Sequence, residues 1–324
     1  MMNTNDNPKT LLEAVKLFGN YKNCRKFMVE ARWPDGIIRC PRCGSDHVTY
    51  MVTTRRWKCY GKHPRPQFTL KVGTIFEDSP IPLEKWLPTV WLLANCKNGI
   101  SSYEVARALG VTQKTAWFML HRVRMAMRSG GFGELGGEVE VDETFIGGKA
   151  RNMHLDKREE KITGTGGKDK TPVLGILQRG GKVRAEVVRD RRKKTLDSIV
   201  RHHVEPGSSI YTDTLPSYND LQNDYQHQMV DHAVENVRGR VHTNGLENFW
   251  SLLKRGIKGT YVSVEPFHLA RYLDEQTFRY NNRDKEIGDG GRFVLALVQI
   301  VGKRLTYDEL IGKTAMEKQR QLSN

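Results

Sequence analysis

The stretch GEVEVDETFIGG, Gly137 to Gly148, limits what this chain can fold into more than any other. It alternates with the period of a strand. Val139 and Val141 point to one face, while Glu138, Glu140 and Asp142 gather on the other. Two unit charges ~4 Å apart repel by ~4 kcal/mol at an effective dielectric of ~20. A strand that collects carboxylates in this way must sit where something cancels their repulsion.

Two further segments supply matching acids. SIYTDT places Asp213 at the C-terminal end of another apolar strand. HTNGLENFWSLLKRGIKGTY opens a helix with Glu247 in its first turns and Leu246, Trp250 and Leu253 on its buried face. Lys254 lies seven residues beyond Glu247, about two turns, so both project to one side. Two strand-borne aspartates and one helix-borne glutamate can converge on a pair of divalent cations. Mg²⁺, or Mn²⁺ in its place, favours a few carboxylates completed by water and substrate oxygens. Glu138 and Glu140 read as acids that merely flank such a site. His242 and Asn244 lie just before the glutamate, near the site but with no readable role.

The chain has 324 residues, 38% of them hydrophobic, which is ample for more than one buried core. Its net charge of +15 favours a polyanionic partner, and nucleic acid is the usual one. No apolar run approaches the ~20 residues of a membrane span. The N-terminus lacks the basic-then-apolar order of a signal peptide, so the expectation is a soluble, cytoplasmic protein.

Five cysteines, three of them clustered, argue for a metal site over a disulfide framework. CPRC sets Cys40 and Cys43 in a knuckle, and Cys59 follows 16 residues after Cys43. Position 62, where a fourth cysteine would fall, holds Lys62, but CYGKH offers His63, and a tetrahedral Zn²⁺ site accepts imidazole in place of thiolate. His47, between the knuckles, is a competing ligand. Arg39, Arg42, Arg55, Arg56, Lys58, Lys62 and Arg65 surround the cluster, a surface suited to phosphate contact.

NGISSYEVARALGVTQKTAWFMLHRVRMAM has the layout of a helix-turn-helix. Ser101 or Ser102 caps the first helix, Gly110 supplies the turn and Thr112 caps the second. Gln113, Lys114 and Thr115, at the start of the second helix, would then meet base edges of double-stranded DNA.

Upstream, residues 9 to 31 read as one helix, with Leu11, Leu12, Val15 and Phe18 on its apolar face. SGGFGELGG is the clearest domain boundary, and a fragment ending near Gly130 is expected to bind DNA alone. Beyond it strands and helices mix. Arg151 to Lys170 is polar, Lys- and Gly-rich, and reads as a mobile loop; EKQRQLSN at the C-terminus reads as frayed.

The blocks RWPDGIIRCPRCGS, QFTLKVGTIFEDSPIPLEKW, VDETFIGGK, HTNGLENFWSLLKRGIKGTY and RYNNR, in that order, closely resemble bacterial insertion-sequence transposases that join a zinc ribbon to a DDE core of the ISXO type. The resemblance covers most of the chain. It implies a multidomain α/β protein: a helical segment over 1–36, a zinc ribbon over 37–80, a helix-turn-helix region over 81–130, a ribonuclease-H-like core over 137–285 and a helical tail over 286–324. It implies Asp142, Asp213 and Glu247 as the catalytic triad, and two metal ions there with one structural Zn²⁺. It implies Lys254, in the place of a basic residue that contacts transposon-end DNA. His63, where the family has a cysteine, is a departure. Strand cleavage followed by transfer of the freed 3′ end would be the activity, in a bacterial, nucleoid-associated homodimer or larger assembly. A nuclease of the same fold without strand transfer, and a domesticated DNA-binding protein, are the rival readings.

Overall fold

A computed structural model describes residues 7–128, 133–148, 155–156, 159, 170–230 and 241–313. Most of the Lys- and Gly-rich stretch, the start of the glycine-rich linker and the C-terminal EKQRQLSN lie outside these residues. The chain divides into two compact units. One comprises Met1–Arg128 with Asn282–Thr314; the other is built on Ser129–Asn281. Among the described residues no helix is long and apolar enough to cross a membrane.

The first unit opens on two helices, α1 (Leu11–Phe18) and α2 (Tyr21–Arg32), where the sequence pattern reads as one. The break falls at Gly19–Asn20, because the Asn20 side chain accepts the Lys22 N–H and so caps a new helix instead of continuing the old one. Three short antiparallel strands follow, β1 (Val48–Met51), β2 (Arg56–Cys59) and β3 (Gln67–Phe68). Trp57 packs between Trp33 and Phe68 beneath them. Helices α3 (Leu83–Asn95), α4 (Ser102–Leu109) and α5 (Gln113–Met127) complete the N-terminal part. Ser101 and Glu104 form a capping box at the start of α4, Gly110 ends it in the left-handed region at φ +59°, and Thr112 caps α5.

The C-terminal segment belongs to this same unit. Lys193–His203 (α6), Asn244–Arg255 (α7) and Pro266–Asn281 (α8) lie in the second unit, but α9 (Gly288–Val298) packs on α3 and puts Phe293 against Phe18 and Phe27, with ring centroids 5.2 and 6.3 Å away. Arg122, buried on α5, donates to the carbonyls of Leu305, Ile75 and Glu77. Tyr307 begins the last short helix, α10 (Tyr307–Leu310).

The second unit is a five-stranded mixed sheet of order β6-β5-β4-β7-β8, formed by β4 (Glu138–Ile146), β5 (Thr171–Gln178), β6 (Val183–Val187), β7 (Ser209–Asp213) and β8 (Gln226–Val230). The first three strands pair antiparallel, whereas β7 and β8 join parallel to β4. One face carries Val139, Val141 and Ile176 against α6 and a 3₁₀ segment, Pro216–Asn223. The other carries Val173 and Leu177 against α7 and α8. The central strands β4 and β5 are thus covered on both faces, and the acidic face of β4 is roofed by a helix.

Candidate active site and metal centre

The parallel register decides which acids meet. Glu140 pairs with Tyr211, so two residues further along each strand Asp142 and Asp213 stand side by side at the edge of the ladder. Helix α7 crosses the same face. Trp250 donates its indole N–H to Asp142 Oδ2 at 2.8 Å. That contact depends on Gly175, the residue opposite Asp142 on β5. A Cβ there would lie 2.5 Å from Cζ2 of Trp250 and 2.8 Å from Leu246. An isolated glycine inside the apolar strand TPVLGILQ is the sequence signal of such a close approach.

Carboxylate oxygens of Asp142, Glu143 and Asp213 all lie within 4.8 Å of one another. Glu143 is the addition that alternation misses, since it leaves β4 toward the opposite face from Asp142. There it accepts from the hydroxyl of Tyr218, which is fully buried. Glu247 lies outside this group of three. It is exposed on the first turn of α7, and its charge reaches Asp142.

The electrostatics show a cluster short of positive charge. Burial pushes Asp142 up to about 6, with repulsion from Asp213 and Glu247 adding to the rise and the Trp250 hydrogen bond opposing it. Burial likewise pushes Glu143 up to about 7, helped by Asp213 and Asp142 and opposed by Tyr218 and Arg191. Lys254, partly buried on α7, is lowered by burial and held up by Asp142. Oxygen donors at this spacing, protonating more readily than they should, fit a divalent cation.

Glu138 and Glu140 do not share one role. Glu138 accepts from the Tyr211 hydroxyl at 2.9 Å and is partly exposed. Glu140 is only 1% exposed and receives the Arg179 Nε–H at 2.9 Å. It is therefore not a bystander on the strand face, as the alternation alone suggests.

In the first unit, ligand atoms of Cys40, Cys43, Cys59 and His63 also lie within 4.8 Å of one another. The Sγ atoms of Cys43 and Cys59 are 3.6 Å apart, and His63 Nε2 is 3.5 Å from Cys40 Sγ. Tetrahedral bonds of about 2.3 Å set sulfurs ~3.8 Å apart, so the donor set fits Zn²⁺. Gly61 donates its N–H to Cys59 Sγ, and a Cβ on it would come within 3.0 Å of Cys43 Sγ. His47 is turned away and stacks on Tyr60 at 4.7 Å.

The residues expected to read DNA are surface residues with local partners. Gln113 donates to the Ser102 hydroxyl at 2.8 Å, Lys114 lies over the Tyr307 ring, and Thr115 bonds to Thr112. Beyond its first turns α5 is buried, with His121, Arg122 and Arg124 all inside. Arg55 and Arg56 are exposed on the ribbon; Arg55 stacks on Tyr21 and Arg56 reaches Gln67.

Comparison with known proteins agrees with this division. Residues 134–281 match the ISXO2-like transposase domain, and residues 19–61 match the transposase zinc-ribbon domain. A protein in transposable element ISH50 of Halobacterium salinarum is 26% identical over 270 residues, covering 80% of this chain and 90% of that protein. A transposase-like protein of Haemophilus influenzae is 33% identical over 104 residues, which cover 32% of this chain and 84% of that protein. The chain belongs to the insertion-sequence transposases that carry a zinc ribbon and an ISXO2-like DDE domain.

Proposed function

We propose that this protein cuts and joins DNA at the ends of its own insertion sequence, with Asp142, Asp213 and Glu247 as the catalytic carboxylates and Glu143 beside them. The observation that carries the reading is the meeting of the Asp142, Glu143 and Asp213 carboxylates at the end of a parallel strand pair, beneath the helix that bears Glu247. Two Mg²⁺ or Mn²⁺ ions held there would polarise the phosphodiester and activate the attacking oxygen. In the first step a water oxygen attacks phosphorus at the element's end and the 3′ oxygen leaves. In the second that 3′-hydroxyl attacks phosphorus in the target strand, and the target's own 3′ oxygen leaves.

The protein's residues orient these events. Trp250 holds one Asp142 oxygen through its indole N–H. Lys254, on the same helix as Glu247, would meet the phosphate backbone of the end. The zinc ribbon, through Arg55 and Arg56, and the start of α5, through Gln113, Lys114 and Thr115, would hold the terminal inverted repeat in the major groove and along its phosphates. Joining two ends requires two active sites, hence a homodimer or larger assembly.

The test uses purified protein, a duplex bearing the element's end, and Mg²⁺ or Mn²⁺. Asp142→Asn, Asp213→Asn and Glu247→Gln should each abolish cleavage while end binding persists. A pre-cut end that the wild type fails to join to target DNA would leave a nuclease. Wild-type end binding with no cleavage under either metal would leave a DNA-binding protein.

A further inference from the structure

Helix α7 has no cap of its own. Thr243 occupies the N-cap position but makes no side-chain cap bond. The first-turn amides of a helix still need acceptors, and the positive end of its dipole favours an anion. Here two of them are met from outside the helix. Glu140 Oε2, on β4, accepts the Leu246 N–H at 3.0 Å, and His242 Nδ1 lies 3.4 Å from the Asn244 N–H. Glu140 Oε1 accepts from Arg179 Nε at 2.9 Å. The same guanidinium donates to the His242 carbonyl at 2.8 Å and lies 3.1 Å from His242 Nδ1. Gly245 makes room for the carboxylate, since a Cβ there would stand 2.7 Å from Glu140 Oε2. Arg179 is itself fixed by its backbone N–H to Glu138 and by the face of Tyr211.

The spacing gives this arrangement its meaning. Glu140 is two residues before Asp142, and Leu246 is the residue before Glu247. One hydrogen bond therefore ties the strand that bears one metal-binding carboxylate to the helix turn that bears another. We propose that Glu140, clamped by Arg179 and His242, is a positioning residue: it caps α7 across the structure and sets Glu247 at its working distance from Asp142. The clamp explains why the second carboxylate of β4 is buried where the site needs none. It rests on the reading of Glu247 as a metal-binding acid, and its test separates the two.

The experiment measures Mn²⁺ affinity of the full-length protein by calorimetric titration, with affinity for an end duplex as a control. Glu140→Ala should weaken Mn²⁺ binding by about tenfold or more, the range seen when a partner that orients a metal ligand is removed. Glu140→Gln should be milder, because its amide oxygen can still accept the Leu246 N–H. Arg179→Lys, which keeps the charge but cannot span Glu140 and His242 together, should reproduce the defect if Glu140→Ala fails to fold. End binding should not change. The double variant Glu140→Ala with Glu247→Gln should bind Mn²⁺ no more weakly than Glu247→Gln alone, since a clamp that acts through Glu247 has nothing left to position. Additive losses, or wild-type affinity in Glu140→Ala and Arg179→Lys beside a defective Glu247→Gln, would overturn the clamp and leave the catalytic reading intact. Wild-type affinity in Glu247→Gln would overturn the catalytic reading, and the clamp with it.

Discussion

At the scale of single residues, the two adjacent acids in the middle of β4 make the site's charge measurable without any reaction. Asp142 is held up to about 6 and Glu143 up to about 7, first by burial and then by their acidic neighbours. A carboxyl group whose folded pKa is raised keeps its proton in the folded protein where the unfolded chain, titrating near ~4, has lost it. Folded molecules then bind more protons than unfolded ones, and stability falls as pH rises. The fall begins near the unfolded value and ends near 6 for Asp142 and near 7 for Glu143. In a chelator, Asp142→Asn should therefore melt close to wild type at pH 4 and above it at pH 8. Each unit of displacement is worth about 1.4 kcal/mol before solvent screening, so a gap of a few degrees in Tm is expected. Added Mn²⁺ should raise the wild type more than the variant and narrow the gap. A gap independent of pH between 4 and 8 would show that these carboxylates carry no stored repulsion.

At the scale of elements, the zinc ribbon is the part least able to stand on its own contacts. Its strands are four, four and two residues long, and Trp33, Trp57 and Phe68 are the main apolar groups beneath them. Metal binding contributes about 10–16 kcal/mol to small modules of this type, far more than so few side chains supply. Elemental analysis should find one Zn per chain, lost in Cys43→Ser and in His63→Ala but kept in His47→Ala. Fluorescence of Trp57 should report local unfolding in the first two. Zinc retained in His63→Ala would name a different fourth ligand. This module was legible in the sequence, because ligand spacing and turn residues are local. So were the caps of α4 and α5, for the same reason. The acidic strand was legible only in part. Period-two alternation finds Asp142 and a partner at Asp213. It cannot see that Glu143, pointing the other way, rejoins them, or that Glu140 bonds to a helix more than a hundred residues later. Those facts depend on register between distant segments. The local traces they leave are small: a glycine at 175 opposite Asp142 and another at 245 against Glu140.

At the scale of the whole molecule, the first unit is discontinuous in sequence. Phe293 packs with Phe18 and Phe27, Asn95 bonds with both Asp289 and Arg292, and Lys303 donates to the carbonyls of Ala126 and Arg128. The backbone is joined as well, through Ile75 N–H to Ile300 and Gly302 N–H to Gly73. The helical tail is thus part of the unit that carries the zinc ribbon, and a fragment ending near Gly130 lacks one wall of its own core. Such a fragment should melt well below the same residues fused by a flexible linker to 282–313. Phe293→Ala in the full chain should cost about 3–5 kcal/mol, as truncation of a buried ring does. Equal melting temperatures for the two fragments would show that the tail is dispensable. The order of synthesis then takes on a consequence. Domains emerging from a ribosome ordinarily close from the N-terminus onward. Here the ribbon and its neighbouring helices leave the ribosome before the whole DDE domain but must wait for residues 282–313, made after it, to be sealed. A translation product broken off within the DDE domain would carry a zinc-ribbon unit without the segment that closes its core. Under the function proposed above, such an aborted chain would compete poorly with an intact one for the element's ends.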